Sequence, residues 1–370
     1  MQTDFGAIQA ARKIAWALDV WKAGRDASFF FSKGFIGSSM NSVIQKVTEL
    51  TETERGKECV MQLVLDMQGD GVVGDNELDN NEEALLNDTQ TIRIDQLRHG
   101  TKSKGEMAEQ ATVIRFREQS KDKLSFWIAD KLDELMFLTL SGRAYTLKLD
   151  GSTRTASQLP SLSFAADVAA PSSNRIIYAG AATSEATITT SDKMSWATVV
   201  RSLAVAEERR LRPIRDGGQS GFCLVIHSRQ LRDLRLDPTY QTIVKSAGVQ
   251  GSSNPLFKGA TANVEGVAIY SHNKVFNTSG LASGSKWGSG STVDGAQGIL
   301  LGAQAGGIAL LGQMFWRESD KTDYGNRPGI GVGRKIGMLK PQFKSVHDLS
   351  SGSPTRQDFG TIAVKTAAAA

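Results

Sequence analysis

Histidine and cysteine are scarce in this chain: four and two residues in 370. That scarcity excludes the chemistries that need clusters of either. His99, His227, His272 and His347 are scattered, and no two stand at the spacing of a shared metal ion. Cys59 and Cys223 each sit in an apolar run, as buried strand thiols do, so a disulfide framework is not expected and a reducing compartment is. No G-x-S-x-G, H-E-x-x-H or G-x-x-x-x-G-K-[ST] occurs. The glycines of GILLGAQAGGIALLG do not form a dinucleotide fingerprint and suit close backbone packing instead. DFG near the C-terminus has neither an HRD nor a glycine-rich loop to accompany it. His227, alone at the end of FCLVI, reads as structural. The expectation is no catalytic residue, no metal and no cofactor. Long apolar runs are also missing: none approaches the ~20 residues that span a bilayer, and MQTDFGAIQAARK lacks the order of a signal peptide. A protein made and kept in a cytoplasm is expected.

Charge of one sign is missing overall but not locally. Lys+Arg 43 against Asp+Glu 39 gives +4, which argues against a dedicated nucleic-acid binder. The 40% hydrophobic and 22% charged composition is that of a folded soluble chain with a sizeable core. The stretch GDGVVGDNELDNNEEALLND (69–88) breaks the balance with seven acids and no base: Asp70, Asp75, Glu77, Asp79, Glu82, Glu83 and Asp88. A calcium loop fits it poorly, because Val72 and Gly74 fall where ligands should stand after Asp70, and Asn80 replaces the required glycine counted from Asp75. Strand-type runs flank it, ECVMQLVLDM (58–67) and TQTIRIDQL (89–97), so the whole reads as a long hairpin with an acidic turn. Bases follow at once: Arg98, His99, Lys102, Lys104, then Arg115, Arg117, Lys121 and Lys123. The turn is either simply solvated or paired with these bases in another copy, which would mean head-to-tail assembly.

Helical periodicity marks 7–23, with Ile8, Ala11, Ile14, Ala15, Leu18 and Trp21 on one face, and 195–210 with Val199, Leu203 and Ala206 inward. Residues 115–140 contain no Gly or Pro and predict a helix about 40 Å long, with Leu124, Trp127, Ile128, Leu132 and Leu135 on its apolar face and Asp130, Lys131, Asp133 and Glu134 off it, ended by Ser141-Gly142. The FFFSKGFIG segment places Phe29, Phe30, Phe31 and Phe35 near the terminus; they form either local core or an arm docked on a neighbour. Residues 150–193 predict loops with short strands at RIIYAG and EATITT, and 280–295 a Gly/Ser surface loop with an exposed Trp287. Strands are expected at FCLVI, GVAIYS, GIGVGRKIGML and DFGTIAVKT, which makes the class α+β.

The order of GDGVVGDNELDNNEEAL, IDQLRHGTKSKGEMAEQ, LSFWIADKLDELMFLTLSG, NPLFKGATANVEGVAIYSHNKVF, LLGAQAGGIALLG, DYGNRPGIGVGRKIGMLKPQF and DFGTIAV resembles the major capsid proteins of N4-like tailed bacteriophages, which have the HK97-like fold. The likeness runs from about residue 15 to 366, and 150–193 and 280–295 match it least. It implies an N-terminal arm (1–55), an extended β-hairpin or E-loop (56–103), a peripheral (P) domain with a long spine helix (104–215), an axial (A) domain (216–315) and return strands (316–370). It also implies a head-shell subunit assembled in the host bacterial cytoplasm as hexamers and pentamers around dsDNA held non-specifically. Portal, a separate scaffolding protein and a decoration protein would be partners, and a membrane would not. On this reading Asp70, Asp75, Glu77, Asp79, Glu82 and Glu83 face a neighbour's Arg98, Lys102, Lys104, Arg115, Arg117 and Lys121, while Phe29, Phe30, Phe31 and Phe35 dock the arm. A tail-tube or decoration subunit, or a soluble α/β enzyme, is the alternative.

Overall fold

The computed structural model describes residues 6–47, 56–64, 70–82, 87–105, 107, 116–216, 219–246, 262–264, 266–319, 326–344 and 356–369. Two sheets and one long helix organise it. Helix α1 (Gly6–Ala27) and the short α2 (Phe29–Ser32) precede strands β1 (Ile36–Gly37), β2 (Ile44–Val47), β3 (Glu58–Val64), β4 (Asn87–Arg93) and β5 (Asp95–Lys102). Helix α3 (Phe116–Ser141) then leads through 3-10 turns to β6 (Ile176–Tyr178) and α4 (Trp196–Glu208). Next come β7 (Ile214–Asp216), β8 (Gln219–Ile226), α5 (Ser228–Leu236), α6 (Pro238–Ser246), β9 (Ala262–Val264) and β10 (Val267–Ser271). The chain closes with β11 (Gly295–Leu301), β12 (Gly306–Ser319), β13 (Gly329–Leu339), β14 (Gln342–Lys344), β15 (Arg356–Asp358) and β16 (Thr361–Ala367).

Helix α3 has the length that its uninterrupted helical sequence predicts. It stops in a Schellman motif: Gly142 is left-handed (φ 63), Arg143 N–H reaches the Leu138 carbonyl and Gly142 N–H that of Thr139. Leu124, Ile128, Leu132 and Leu135 are buried as expected. Asp133 and Glu134 depart from expectation, at 3% and 7% exposure. Each has its own partners inside: Asp133 takes Ser28 and Phe29, and Glu134 takes Lys131 and Arg154. Helix α1 lies along α3 through Ala17, Val20 and Gly24, where a Cβ on Gly24 would stand 2.8 Å from Ile128. Leu18 therefore faces outward, 44% exposed, against its expected inward position.

The first sheet runs β1-β2-β12-β13-β5, and α1 and α3 cover one of its faces. His99 stacks on Trp127 at 4.4 Å and Arg334 lies 3.6 Å over the Trp21 ring, which fixes the odd residues of β5 and the even residues of β13 toward the helices. Hairpin β3–β4 pairs Glu58 with Arg93 and Val64 with Asn87, as the flanking strand runs predict. Its second strand bends after Ile94 and continues as β5 into the first sheet, so residues 95–102 are sheet body rather than projecting hairpin.

The second sheet runs β6-β16-β11-β8-β10-β9, with β7 beside β8. The last strand, β16, is buried along its whole length between β6 and β11. The sheets thus cut the chain differently from the sequence division: β12 leaves 216–315 for the first sheet, and β16 leaves 316–370 for the second. Backbone pairing, which apolar patterning does not encode, makes that choice. Cys59 and Cys223 are buried free thiols. Two local expectations are overturned. EATITT forms a 3-10 turn (Glu185–Thr187) capped by Ser184 rather than a strand. Trp287 is 6% exposed, packed with Ala182, Ile188 and Ala367, because the glycines around it fold the loop back over the sheet edge.

Candidate functional site: acidic turn and basic sheet face

The acidic turn is built by its own backbone. Gly71 and Gly74 take left-handed φ values of 75 and 70, and Asn80 does so at 70. Asn76 donates to the Val73 carbonyl at 2.7 Å, Asn81 to Glu77 at 2.9 Å, and Glu82 accepts from Asn80 N–H at 2.9 Å. The turn is thereby shaped, yet it touches little else. A Cβ placed on Gly71 or Gly74 would meet nothing within 4 Å. Asp70, Asp75, Glu77, Asp79 and Glu82 are exposed, and none enters an ion pair among the described residues. Two apolar side chains share the exposure, Val73 at 77% and Leu78 at 59%. Asp88 behaves otherwise: it sits at the hairpin base and holds Arg356 at 2.9 Å and the Lys344 N–H at 3.1 Å. Glu83 falls outside the described residues.

The hairpin base is anchored to its own body. Cys59, Met61, Ile92 and Ile94 pack with Val47, Ala309, Leu339 and Phe343. They can approach the first sheet because Gly307 and Gly337 lie beneath them: Cβ atoms there would fall 2.9 Å and 3.0 Å from Ile92.

The predicted basic surface divides. Arg98 and Lys102 are exposed on the face of β5 turned away from the helices, and Lys104 is exposed just beyond. Lys121 instead pairs with Asp19 of α1 at 2.9 Å, an i-to-j contact inside the chain. Arg115 and the side chain of Arg117 fall outside the described residues. The sequence reading missed three further members of this face. Register places Phe315, Arg317 and Lys335 on it, with the Arg317 guanidinium 5.4 Å from the Phe315 ring. Alternating glycines in GIGVGRKIG were the available signal, since a period of two puts them all on one side of a strand.

Of the two readings of the phenylalanine cluster, burial favours local core over a docked arm. Phe29, Phe30 and Phe35 are 8%, 1% and 5% exposed within their own chain. Phe29 packs on Phe137 (5.8 Å) and His272 (4.7 Å), Phe30 on Phe137 (4.7 Å) and Phe35 on Tyr270 (5.1 Å). Phe31 is half-buried edge-on to Trp21. Rings already sealed between α3 and the second sheet have no surface left for a neighbour. Desolvation in this cluster pushes the His272 imidazole down to about 4 and the Asp133 carboxyl up from its ordinary value. His227 is buried and accepts from Arg229 N–H, so it caps α5. Burial, helped by Arg229, lowers its pKa.

Comparison with known proteins follows this geometry. The family described as phage capsid protein matches residues 7–370. The chain is 39% identical over 376 residues to the major capsid protein of Pseudomonas phage KPP25, covering 99% of this chain and 98% of that one. Among solved structures, the capsid of Ralstonia phage GP4 superposes with a TM-score of 0.78 at 27% identity, over 93% of this chain and 92% of that chain. The cyanophage Pam1 capsid shares the fold, with a TM-score of 0.67 at 19% identity over 91% of each chain.

Proposed function

This chain belongs to the phage capsid protein family, and from that premise we propose that its acidic turn is the part that reaches a sister copy in the shell. Its role is that of a major capsid protein in an icosahedral capsid, built on the HK97-like α+β fold. The observation that carries the proposal is the isolation of the turn: five acids without an ion pair among the described residues and two exposed apolar side chains, on a loop shaped by its own backbone. Ordering such a loop has no return within one subunit, whereas a neighbour's Arg98, Lys102 and Lys104 would complement it. Many weak contacts of this kind close into a stable shell because each copy is held by several neighbours at once.

The finer assignments belong to the same proposal. The N4-like branch is the subtype proposed from the sequence resemblance. The first sheet with α1 and α3 corresponds to the P domain and the second sheet to the A domain. Hexamers and pentamers, a portal, a separate scaffolding protein, a decoration protein and non-specifically held dsDNA are the proposed partners. Assembly takes place in the host cytoplasm and involves no catalytic step by this chain.

Reversing Asp75, Asp79 and Glu82 to Lys tests the proposal. Electron microscopy of the variant is expected to show loss of particles, while circular dichroism and thermal melting match the parent subunit. Particles at the parental yield would refute the role of the turn.

A further inference from the structure

A cavity of about 320 Å³ lies beside the second sheet, where the turn after β6, the loop leading into α4 and the end of α5 come together. That is the small end of the range for ligand pockets. Three carboxylates line it, Asp192, Asp233 and Asp237, with one ammonium, Lys193, and two apolar side chains, Met194 and Leu236.

Two of the carboxylates are held by the chain itself. Asp192 accepts from Thr189 N–H and from the Thr189 hydroxyl, both at 2.8 Å. It closes on Gly180, whose φ is left-handed at 59 and where a Cβ would collide with Asp192 Oδ1. Asp237 ties the end of α5 to the start of α4, accepting from Trp196 N–H at 2.6 Å and from Thr239 N–H at 3.0 Å. Asp233 differs. It lies deep, 6% exposed, and its Oδ1 takes the Arg232 guanidinium at 2.9 and 3.1 Å. Its Oδ2 is buried and has no hydrogen-bond donor. A buried carboxylate oxygen without a donor is costly, and folded chains keep few of them. This one belongs to the lining of a cavity.

We propose that the cavity binds a linear aliphatic ammonium ion, its head donating to Asp233 Oδ2 and its stem lying on Met194 and Leu236. An ammonium suits the site better than a guanidinium, because Arg232 already holds the other oxygen and a planar fork needs both. A metal ion does not suit it: among the described residues no three of His, Cys, Asp and Glu are placed to hold one. Leu236 is 65% exposed and Met194 1% exposed, so together they offer an apolar track from the rim inward for a methylene chain. Three carboxylates against one lysine leave two negative charges in excess, which favours a second ammonium on the same stem. The cavity is complete within one chain, so its ligand is independent of the shell-subunit reading.

Isothermal titration calorimetry of the full chain at pH 7 and low salt, with cadaverine as the probe, is expected to show saturable binding at one site per chain. The Tm is expected to rise with cadaverine concentration. The corresponding diol keeps the stem without the charges, and ammonium chloride keeps the charge without the stem; neither is expected to saturate. Asp233→Asn keeps the shape and removes the charge. It is expected to weaken cadaverine at least about tenfold, while the Tm of the free chain stays level or rises because a buried charge is gone. Leu236→Ser changes an exposed position, leaves the fold intact and is expected to weaken binding about threefold. Nα-acetyl-lysinamide, which presents the same head and stem on a peptide unit, is expected to bind more weakly than cadaverine; the reverse order would assign the cavity to a lysine of a partner protein. Absence of saturable binding by both probes, or equal affinity in Asp233→Asn, would overturn the proposal.

Discussion

Ser28 donates its hydroxyl to Asp133 at 2.6 Å across 105 positions of sequence, and Phe29 N–H donates to the other oxygen at 2.8 Å. One buried carboxylate on α3 thereby ends α1 and starts α2. Lys274, from the loop after β10, comes within 3.9 Å of it and pairs with Asp130 at 2.8 Å, so three parts of the chain meet at this point.

Ser28→Ala is expected to cost about 2 kcal/mol in urea unfolding at pH 7, the range for a lost hydrogen bond to a buried charge. Burial raises the Asp133 pKa and the Ser28 bond is the first influence opposing it. A carboxyl raised in the folded state loses stability as pH climbs from its ordinary value through its folded one. The deficit of the variant is therefore expected to be smaller at pH 3.5 than at pH 7, and parental stability at pH 7 would contradict the role of the bond.

His272 supplies the opposite slope. Its ring is packed against Phe29 and Phe137 (4.7 and 5.3 Å), and its Nδ1 already accepts from Lys274 N–H at 3.1 Å. Burial, with Lys274 and His227 nearby, lowers its pKa to about 4. The stability this neutral ring contributes is complete above about 6.5 and is lost as pH falls from there toward 4. Melting curves from pH 7 to pH 4.5 are expected to show a falling Tm, and His272→Asn to flatten that fall while lowering Tm at pH 7.

Lys340 and Asp358 form a fully buried pair at 3.0 Å that links the end of β13 to β15. Gln342 and the Ser172 N–H complete the carboxylate's partners, at 2.8 and 3.1 Å. Lys340→Met leaves the carboxylate uncompensated and is expected to destabilise by about 3–5 kcal/mol. Lys340→Met with Asp358→Asn is expected to recover more than half of that loss in chemical denaturation.

Much of the fold was legible because local patterning and long-range packing agree. The span of α3 follows from a gap in Gly and Pro closed by Ser141-Gly142, and the hairpin follows from two strand runs around a polar turn. The acidic turn was legible as a concentration of charge because seven acids without a base are visible in one dimension. The shared sheet face of Arg98, Gly331 and Arg317 was not, because they come from three strands and meet only through register. Trp287 was misplaced for a related reason: composition around a ring tells how the chain turns, not what the ring then meets.

The amino-acid order by itself determined the elements, their sequence along the chain, the concentration of charge at one turn and the resemblance to a capsid family, all properties that neighbours in the chain carry. Tertiary structure alone decided that β12 crosses into the first sheet and β16 into the second, that Asp133 is spent inside on Ser28, and that glycines spaced two apart along β13 share a sheet face with Arg98 and Arg317. Those outcomes depend on which strand lies beside which, and hydrogen-bond pairing between residues more than two hundred positions apart is set by the packing of the whole chain.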